Sequence, residues 1–317
     1  MKVIFMGTPD FAAGVLNYIV EKGHNVVSVV TVPDRAAGRG LKQIPSAVKK
    51  SALNHNIPIL QPEKLRDEQF IKTLTELNAD IFVVVAFRML PEVVWSIPPK
   101  GTFNLHASLL PQYRGAAPIN HAIINGEKIS GVTTFFINHE IDKGDIIDAI
   151  EVPIDDEDSA GTYHDKLMNI GAELVNRTLV NIHADNVCLK SQDKYRDEDL
   201  KLAPKIFKED CRINLNKKGE EIRNFVRGMS PYPAAFIELL DEEGNELYMK
   251  IFELEIENDK TSSNDAIIKT DEKTYLKIKC QDSWLYILEL QVFGKKRMKV
   301  DDYLRGAKDI IKFRYVK

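Results

Sequence analysis

Residues 2–32 read KVIFMGTPDFAAGVLNYIVEKGHNVVSVVTV, and this stretch decides the fold. Residues 2–6 are a short apolar run suited to a buried strand, and Gly7-Thr8-Pro9-Asp10 turns the chain. Phe11, Ala12, Val15, Leu16, Ile19 and Val20 then recur at helical spacing, and Gly23 ends the helix. Residues 26–32 are rich in β-branched side chains, as in a strand covered on both faces. Strand, helix, strand in this order builds a parallel sheet with helices on both sides. The pattern continues outward, with strands at 57–60 and 81–87 and helices at 46–54 and 67–77. Further strands fall at 102–106 and 132–137, and a helix at 163–182 closes the domain. The expectation is a doubly wound, Rossmann-like α/β domain.

The second half changes character. Residues 184–210 are polar and charged, with Pro204 inside, and read as a linker. A helix at 218–229 follows, then strands at 234–240, 246–254, 275–280 and 284–292, separated by turns such as Glu243-Gly244-Asn245. Short strands with few helices suggest a small, partly open β-barrel of the OB type. The expected division is a first domain at 1–187, a linker at 188–208 and a second domain at 209–317. The length of 317 residues suits two domains.

Composition narrows the setting. Hydrophobic residues make up 44% and charged residues 28%, as in ordinary globular chains. Cys188, Cys211 and Cys280 are far apart and lack CxxC spacing, which predicts reduced thiols and no zinc site. No stretch approaches the ~18 apolar residues of a membrane span, and the N-terminus lacks the long apolar core of a signal peptide. The expected location is the cytosol. The formal charge is −4 overall, −6 over residues 1–200 and +2 over residues 201–317, so the second half is compatible with RNA contact.

The turn at Gly7 invites a nucleotide interpretation, but a dinucleotide fingerprint needs three glycines. Here Gly7 stands alone, and Asp10 would repel a phosphate. Asp10 is expected to cap the helix that starts at Phe11, in a loop that also borders a substrate pocket.

Chemistry concentrates in GTFNLHASLLPQYRGAAP, residues 101–118. On a strand at 102–106, Asn104 and His106 share one face, with Cα atoms about 6.6 Å apart. An amide donates to an oxyanion without carrying charge, and an imidazole accepts and returns a proton near neutral pH. The pair suits attack on a carbonyl carbon, and also serves as a structural hydrogen-bonded pair. A carboxylate is wanted as the third member. Asp142 is a candidate in the turn after residues 132–137, alongside Asp145 and Asp148. His106, His121 and His139 lack metal-binding spacing, and no G-x-S-x-G nucleophile motif is present.

Asn104-x-His106, Ser108-Leu-Leu-Pro111, Tyr113-Arg-Gly-Ala-Ala-Pro118 and Asp142-x-Gly144-Asp145 together resemble the 10-formyltetrahydrofolate-dependent formyltransferases. The resemblance implies that Asn104, His106 and Asp142 are catalytic and that 10-formyltetrahydrofolate is the formyl donor, with no metal. It implies a folate pocket lined by Ser108, Leu109, Leu110 and Pro111, with Met89 and Leu90, from the segment AFRML at 86–90, on the pterin side. Among family acceptors, initiator methionyl-tRNA is favoured over amino-sugar nucleotides, which remain the alternative. MGTPDF at 6–11 resembles the opening of the tRNA-directed members. VPDRAAGRG at 32–40 resembles their tRNA-facing loop, which implies contacts from Arg35, Arg39 and Lys42. KIFKED at 205–210 and MSPYPAA at 229–235 resemble the opening of their second domain. Ala36, Leu41, Leu215 and Tyr232 depart from the common residues, which bears on individual tRNA contacts. Lys295, Lys296, Arg297, Lys299, Lys308, Lys312 and Arg314 are candidates to track phosphates. No obligate protein partner is evident.

Overall fold

Apolar runs that cannot stay in water set the order of the first half. The computed structural model describes residues 1–37, 42–258, 267–306, 310–313 and 315–316. Two compact units are formed. The first holds Met1–Pro118, Ile129–Pro153 and His164–Ala203; the second holds Ile119–Lys128, Ile154–Tyr163 and Pro204–Lys317.

In chain order the elements begin with β1 (Lys2–Gly7), α1 (Asp10–Glu21), β2 (Asn25–Val30), the hairpin β3 (Arg35–Ala37) and β4 (Lys42–Ile44), and α2 (Ala47–Asn54). They continue with β5 (Ile59–Leu60), α3 (Glu68–Glu76), β6 (Ile81–Val85), α4 (Glu92–Trp95) and β7 (Thr102–His106). Then come α5 (Pro118–Ile124), β8 (Ile129–Phe136), β9 (Ile146–Pro153) and α6 (Ala160–His183).

The main sheet has the order β5-β2-β1-β6-β7-β8-β9. From β5 to β7 the strands are parallel. The chain moves outward from β1 to β5, then returns to β6 and β7 on the other side. That reversal opens a crevice beyond the strands' carboxyl ends. β1 and β6 are central, and Ile4, Phe5, Met6, Phe82 and Val83 are fully buried. The helical face anticipated from spacing is the buried face of α1, through Phe11, Ala12, Val15, Leu16 and Ile19.

Three local features differ from expectation. β8 runs antiparallel to β7, and β9 antiparallel to β8. Patterning does not reveal β9, because Asp148 and Glu151 interrupt its apolar residues. The expected Asp10 cap is not made: α1 starts at Asp10, and Pro9 holds the capping position without a side-chain bond. Asp10 instead places its charge in the first turn, where the helix dipole favours it. Ser46 and Asp67 do cap, accepting from the Lys49 and Phe70 amides at 3.0 and 2.9 Å.

Gly7 has a packing role. A Cβ there would lie 2.6 Å from Ala12 Cβ and 2.9 Å from the Val85 carbonyl oxygen. Close approach of α1 to the strand ends requires glycine.

The second unit adds α7 (Gly219–Met229), β10 (Ala235–Leu240), β11 (Glu246–Asn258), β12 (Ile268–Thr270) and β13 (Leu276–Lys279). It ends with β14 (Ser283–Val292), β15 (Met298–Lys299), α8 (Val300–Leu304) and β16 (Tyr315–Val316). Its antiparallel sheet has the order β12-β13-β14-β11-β10-β16, with β15 on β14. Among the described residues the sheet is open, its outer strands β12 and β16 unpaired with each other. Register shifts near Ile251, Glu253 and Leu254 mark a bulge in the long β11, which permits such a strand to bend. Ile222, Val226 and Met229 of α7 join Ile237, Met249, Ile251, Leu285 and Ile287 in its core.

Arg227 is a buried fixture of this unit, 9% exposed. Its guanidinium donates to the carbonyls of Asp155 and Asp158, both at 3.0 Å, and to Asn224 Oδ1 at 2.9 Å. Burial pushes its pKa below the ordinary guanidinium range. Arg227→Met removes the three hydrogen bonds that this buried guanidinium donates, and is expected to lower unfolding stability by about 3 kcal/mol. A urea midpoint unchanged from the parent protein would refute this.

Candidate active site

β7 carries Asn104 and His106 two residues apart, so both side chains leave one face of the strand. Asn104 lies opposite Val84 of β6 and Phe135 of β8, and His106 opposite Thr133. Along β7 every residue is buried except Asn104, which keeps partial exposure. The amide is therefore reachable at the wall of the crevice.

His106 is 6% exposed, with its ring edge-on to Phe135. Its Nε2 lies 2.9 Å from the Tyr113 carbonyl oxygen. A carbonyl only accepts, so Nε2 bears a proton and donates it there. Nδ1 is the nitrogen left to exchange a proton or meet substrate. It faces Asp142 Oδ2 at 3.9 Å, too far for a direct hydrogen bond and the right distance for one intervening atom.

Asp142 sits in the loop between β8 and β9 with φ +54°, a left-handed conformation rare outside glycine. Its Oδ2 accepts the Gly115 amide at 2.9 Å. Of the three carboxylates left open by sequence, the fold brings Asp142 to His106. Asp148 is held by Arg177 Nε at 2.6 Å, while Asp145 gives its carbonyl to the Phe136 amide at 3.0 Å.

The loop after β7 is anchored on β8. Thr133 Oγ1 donates to the Ser108 carbonyl at 2.7 Å and accepts the Leu110 amide at 3.1 Å. The Ser108 hydroxyl is engaged internally, donating to the Gln112 carbonyl at 2.7 Å. Leu109 and Pro111 are half-buried and Leu110 buried. Leu90 packs in the core with Ile4, Met6, Phe82 and Val84, whereas Met89 is 73% exposed. These two neighbours therefore face different surroundings, and Met89 is the one open to a ligand.

Arg88, between them in sequence, donates to the carbonyls of Pro62 and Glu63 at 2.8 and 3.0 Å. Burial, and then the nearby Arg35, push its pKa below the ordinary guanidinium range. Arg35 opens the β3–β4 hairpin opposite Ile44 and is exposed. The base of that hairpin is tied down. Asp34 accepts from Lys49 Nζ at 2.7 Å and Gln61 Nε2 at 2.8 Å, and these bonds hold its carboxyl below the usual range. Arg39 and the side chain of Lys42 lie outside the described residues, as do Lys308 and Arg314.

In the second unit, Arg297 pairs with Glu289 and stacks over Phe252, 4.2 Å from the ring centroid. Lys295 lies 6.0 Å from the centroid of Tyr303. Leu215 packs against the core, and Tyr232 is 82% exposed. Among the described residues, no group of three or more His, Cys, Asp or Glu side chains forms a potential metal site. No helix there is long and apolar enough to cross a membrane.

Patterning misses one buried residue of this site. Gln192 is 2% exposed and bonds to both the Asp142 and the Arg114 loops. It sits in a polar stretch without periodicity, so only its three-dimensional partners distinguish it.

The formyl transferase family matches residues 1–179, and the formyl transferase C-terminal domain matches residues 205–308. A methionyl-tRNA formyltransferase of Bacteroides thetaiotaomicron is 52% identical over 307 residues, covering 96% of this chain and 95% of that protein. Among solved structures, an N-formyltransferase from Helicobacter canadensis in complex with folinic acid and dTDP-3-aminofucose has a TM-score of 0.61. It is 22% identical and covers 92% of this chain and 100% of its own. HypX from Aquifex aeolicus in complex with tetrahydrofolic acid has a TM-score of 0.64 at 16% identity, covering 100% of this chain and 51% of its own. At those identities the two structures speak for the fold.

Proposed function

The chain belongs to the formyl transferase family, and from that membership we propose that it formylates the amino group of methionyl initiator tRNA, with 10-formyltetrahydrofolate as donor. The observation that carries the choice of acceptor is likeness along nearly the whole chain, second unit included, to a methionyl-tRNA formyltransferase. The reaction serves translation initiation. Its proposed setting is the cytosol, which suits three free cysteines.

The donor supplies the formyl carbon, and the acceptor amine attacks it. Asn104 Nδ2 donates to the formyl oxygen as negative charge grows there, and protonated His106 adds a second donor through Nδ1. The Tyr113 carbonyl keeps the other ring nitrogen occupied, so the imidazole has one reactive side. Asp142 takes the proton that the amine sheds on attack and passes it toward the departing folate nitrogen. Transfer is direct in this reading, because the adjacent hydroxyls of Ser108 and Thr133 are committed to backbone carbonyls.

The residues present fit such a donor. Ser108–Pro111 form an anchored wall beside the pair, and Met89 offers an exposed apolar side chain for a ring system. Arg35, Arg39 and Lys42 are proposed to meet tRNA phosphates or bases.

The deciding assay follows formyl transfer from 10-formyltetrahydrofolate to methionyl initiator tRNA, methionyl elongator tRNA and a nucleotide-linked amino sugar. Formylation confined to initiator tRNA is expected. Turnover of the amino sugar with none on tRNA would overturn the proposed acceptor while leaving the transferase chemistry intact.

A further inference from the structure

We propose that Gln192 is a positioning residue that sets the approach of Asp142 to His106; the proposal rests on the roles given to those two residues above. Gln192 lies in the segment before the second family domain, yet it is nearly inaccessible, 2% exposed. Both ends of its amide are used. Nε2 donates to the Gly144 carbonyl at 2.7 Å and to the Asp142 carbonyl at 3.1 Å. Oε1 accepts from Arg114 Nη2 at 2.9 Å and Nε at 3.3 Å.

This one side chain therefore clips together two loops that meet at the carboxylate. One loop carries Asp142. The other carries Arg114 and Gly115, whose amide is the donor to Asp142 Oδ2. Asp142 adopts a left-handed backbone that an ordinary residue keeps only when its surroundings impose it. Gln192 bonds directly to that residue's carbonyl. The segment is itself held in place: the Lys190 and Ile146 backbones exchange hydrogen bonds at 2.9 Å in both directions, and Ala203 N donates to the Arg114 carbonyl at 2.8 Å. The 3.9 Å between Asp142 Oδ2 and His106 Nδ1 thus depends on a side chain remote from both in sequence.

Two substitutions separate the halves of the amide. Gln192→Met removes every hydrogen bond at similar volume. Gln192→Glu keeps an acceptor for Arg114 but sets negative charge against two carbonyl oxygens. Each is expected to lower kcat about 100-fold, because a misplacement near 1 Å costs that much. KM for 10-formyltetrahydrofolate should stay within about threefold, since Gln192 lies behind Asp142 rather than in the proposed folate wall.

The decisive readout is a double-mutant cycle with Asp142→Asn. In that background Gln192→Met should lower kcat by less than about threefold more, since its route to the reaction is already lost. A full further 100-fold loss would mean a separate structural role and overturn the proposal. So would Gln192→Met or Gln192→Glu with kcat near the parent value, or loss of the thermal unfolding transition in both. Near-normal turnover of Asp142→Asn alone would instead overturn the role of Asp142, and the Gln192 proposal with it.

Discussion

His106→Ala should lower kcat for formyl transfer by about 10³-fold while KM for both substrates changes little. The ring is 6% exposed and has one nitrogen committed to the Tyr113 carbonyl, so its other nitrogen is held in a fixed position. Alanine removes the donor proposed for the formyl oxygen and the ring's hydrogen bond to the Tyr113 carbonyl. Asp142→Asn tests the partner with less disturbance, because an amide oxygen still accepts from the Gly115 amide. Its expected loss is again about 10³-fold in kcat, through the missing proton acceptor. Steady-state kinetics on initiator tRNA, with unfolding curves for each variant, measure both. Either folded variant working within tenfold of the parent enzyme would remove that residue from the mechanism.

Gly144→Val is the substitution with the largest expected effect on folding. A Cβ at Gly144 would lie 1.7 Å from the Phe136 carbonyl oxygen and 2.9 Å from its carbon. Those are backbone atoms of β8, in the same residue whose amide meets the Asp145 carbonyl at 3.0 Å. The loop must lift away from the strand, at a cost of about 4 kcal/mol or more. Lifting it also carries Asp142 off, so any folded remainder should lose kcat as well. Gly244→Ala is the control. Gly244 has φ +81° but nothing within 4 Å of its Cβ position, so only the left-handed backbone penalises alanine, by about 1 kcal/mol. Equal urea midpoints for the two variants would show that the β8 contact does not matter.

These contacts explain why Asp142-x-Gly144-Asp145 takes that form. In sequence it is a turn with two acids and a glycine. In the fold the glycine allows contact with β8, the first acid faces His106, and the second contributes its carbonyl to the strand.

Much of the architecture was legible along the chain. The apolar runs around Phe5, Val29 and Val83 marked buried strands, because no other arrangement hides so many β-branched and aromatic side chains on both faces. The spacing of Phe11, Val15 and Ile19 marked the buried side of α1. Asn104 and His106 fell on one strand face by the period of two alone. The antiparallel β9 escaped, since Asp148 and Glu151 break its pattern and its pairing partner lies in another element.

Patterning along the chain settles the buried strands around Phe5, Val29 and Val83, the buried side of α1 and the shared strand face of Asn104 and His106. Those follow from periodicity and local stereochemistry, which act between near neighbours. The folded chain shows Asp142, which residue spacing left level with Asp145 and Asp148, facing His106, and shows which imidazole nitrogen is turned toward it. It alone brought Gln192 behind the Asp142 loop. Each of these depends on a hydrogen bond to a backbone group that every residue possesses. Only the folded chain chooses which carbonyl or amide stands within 3 Å of a given side chain.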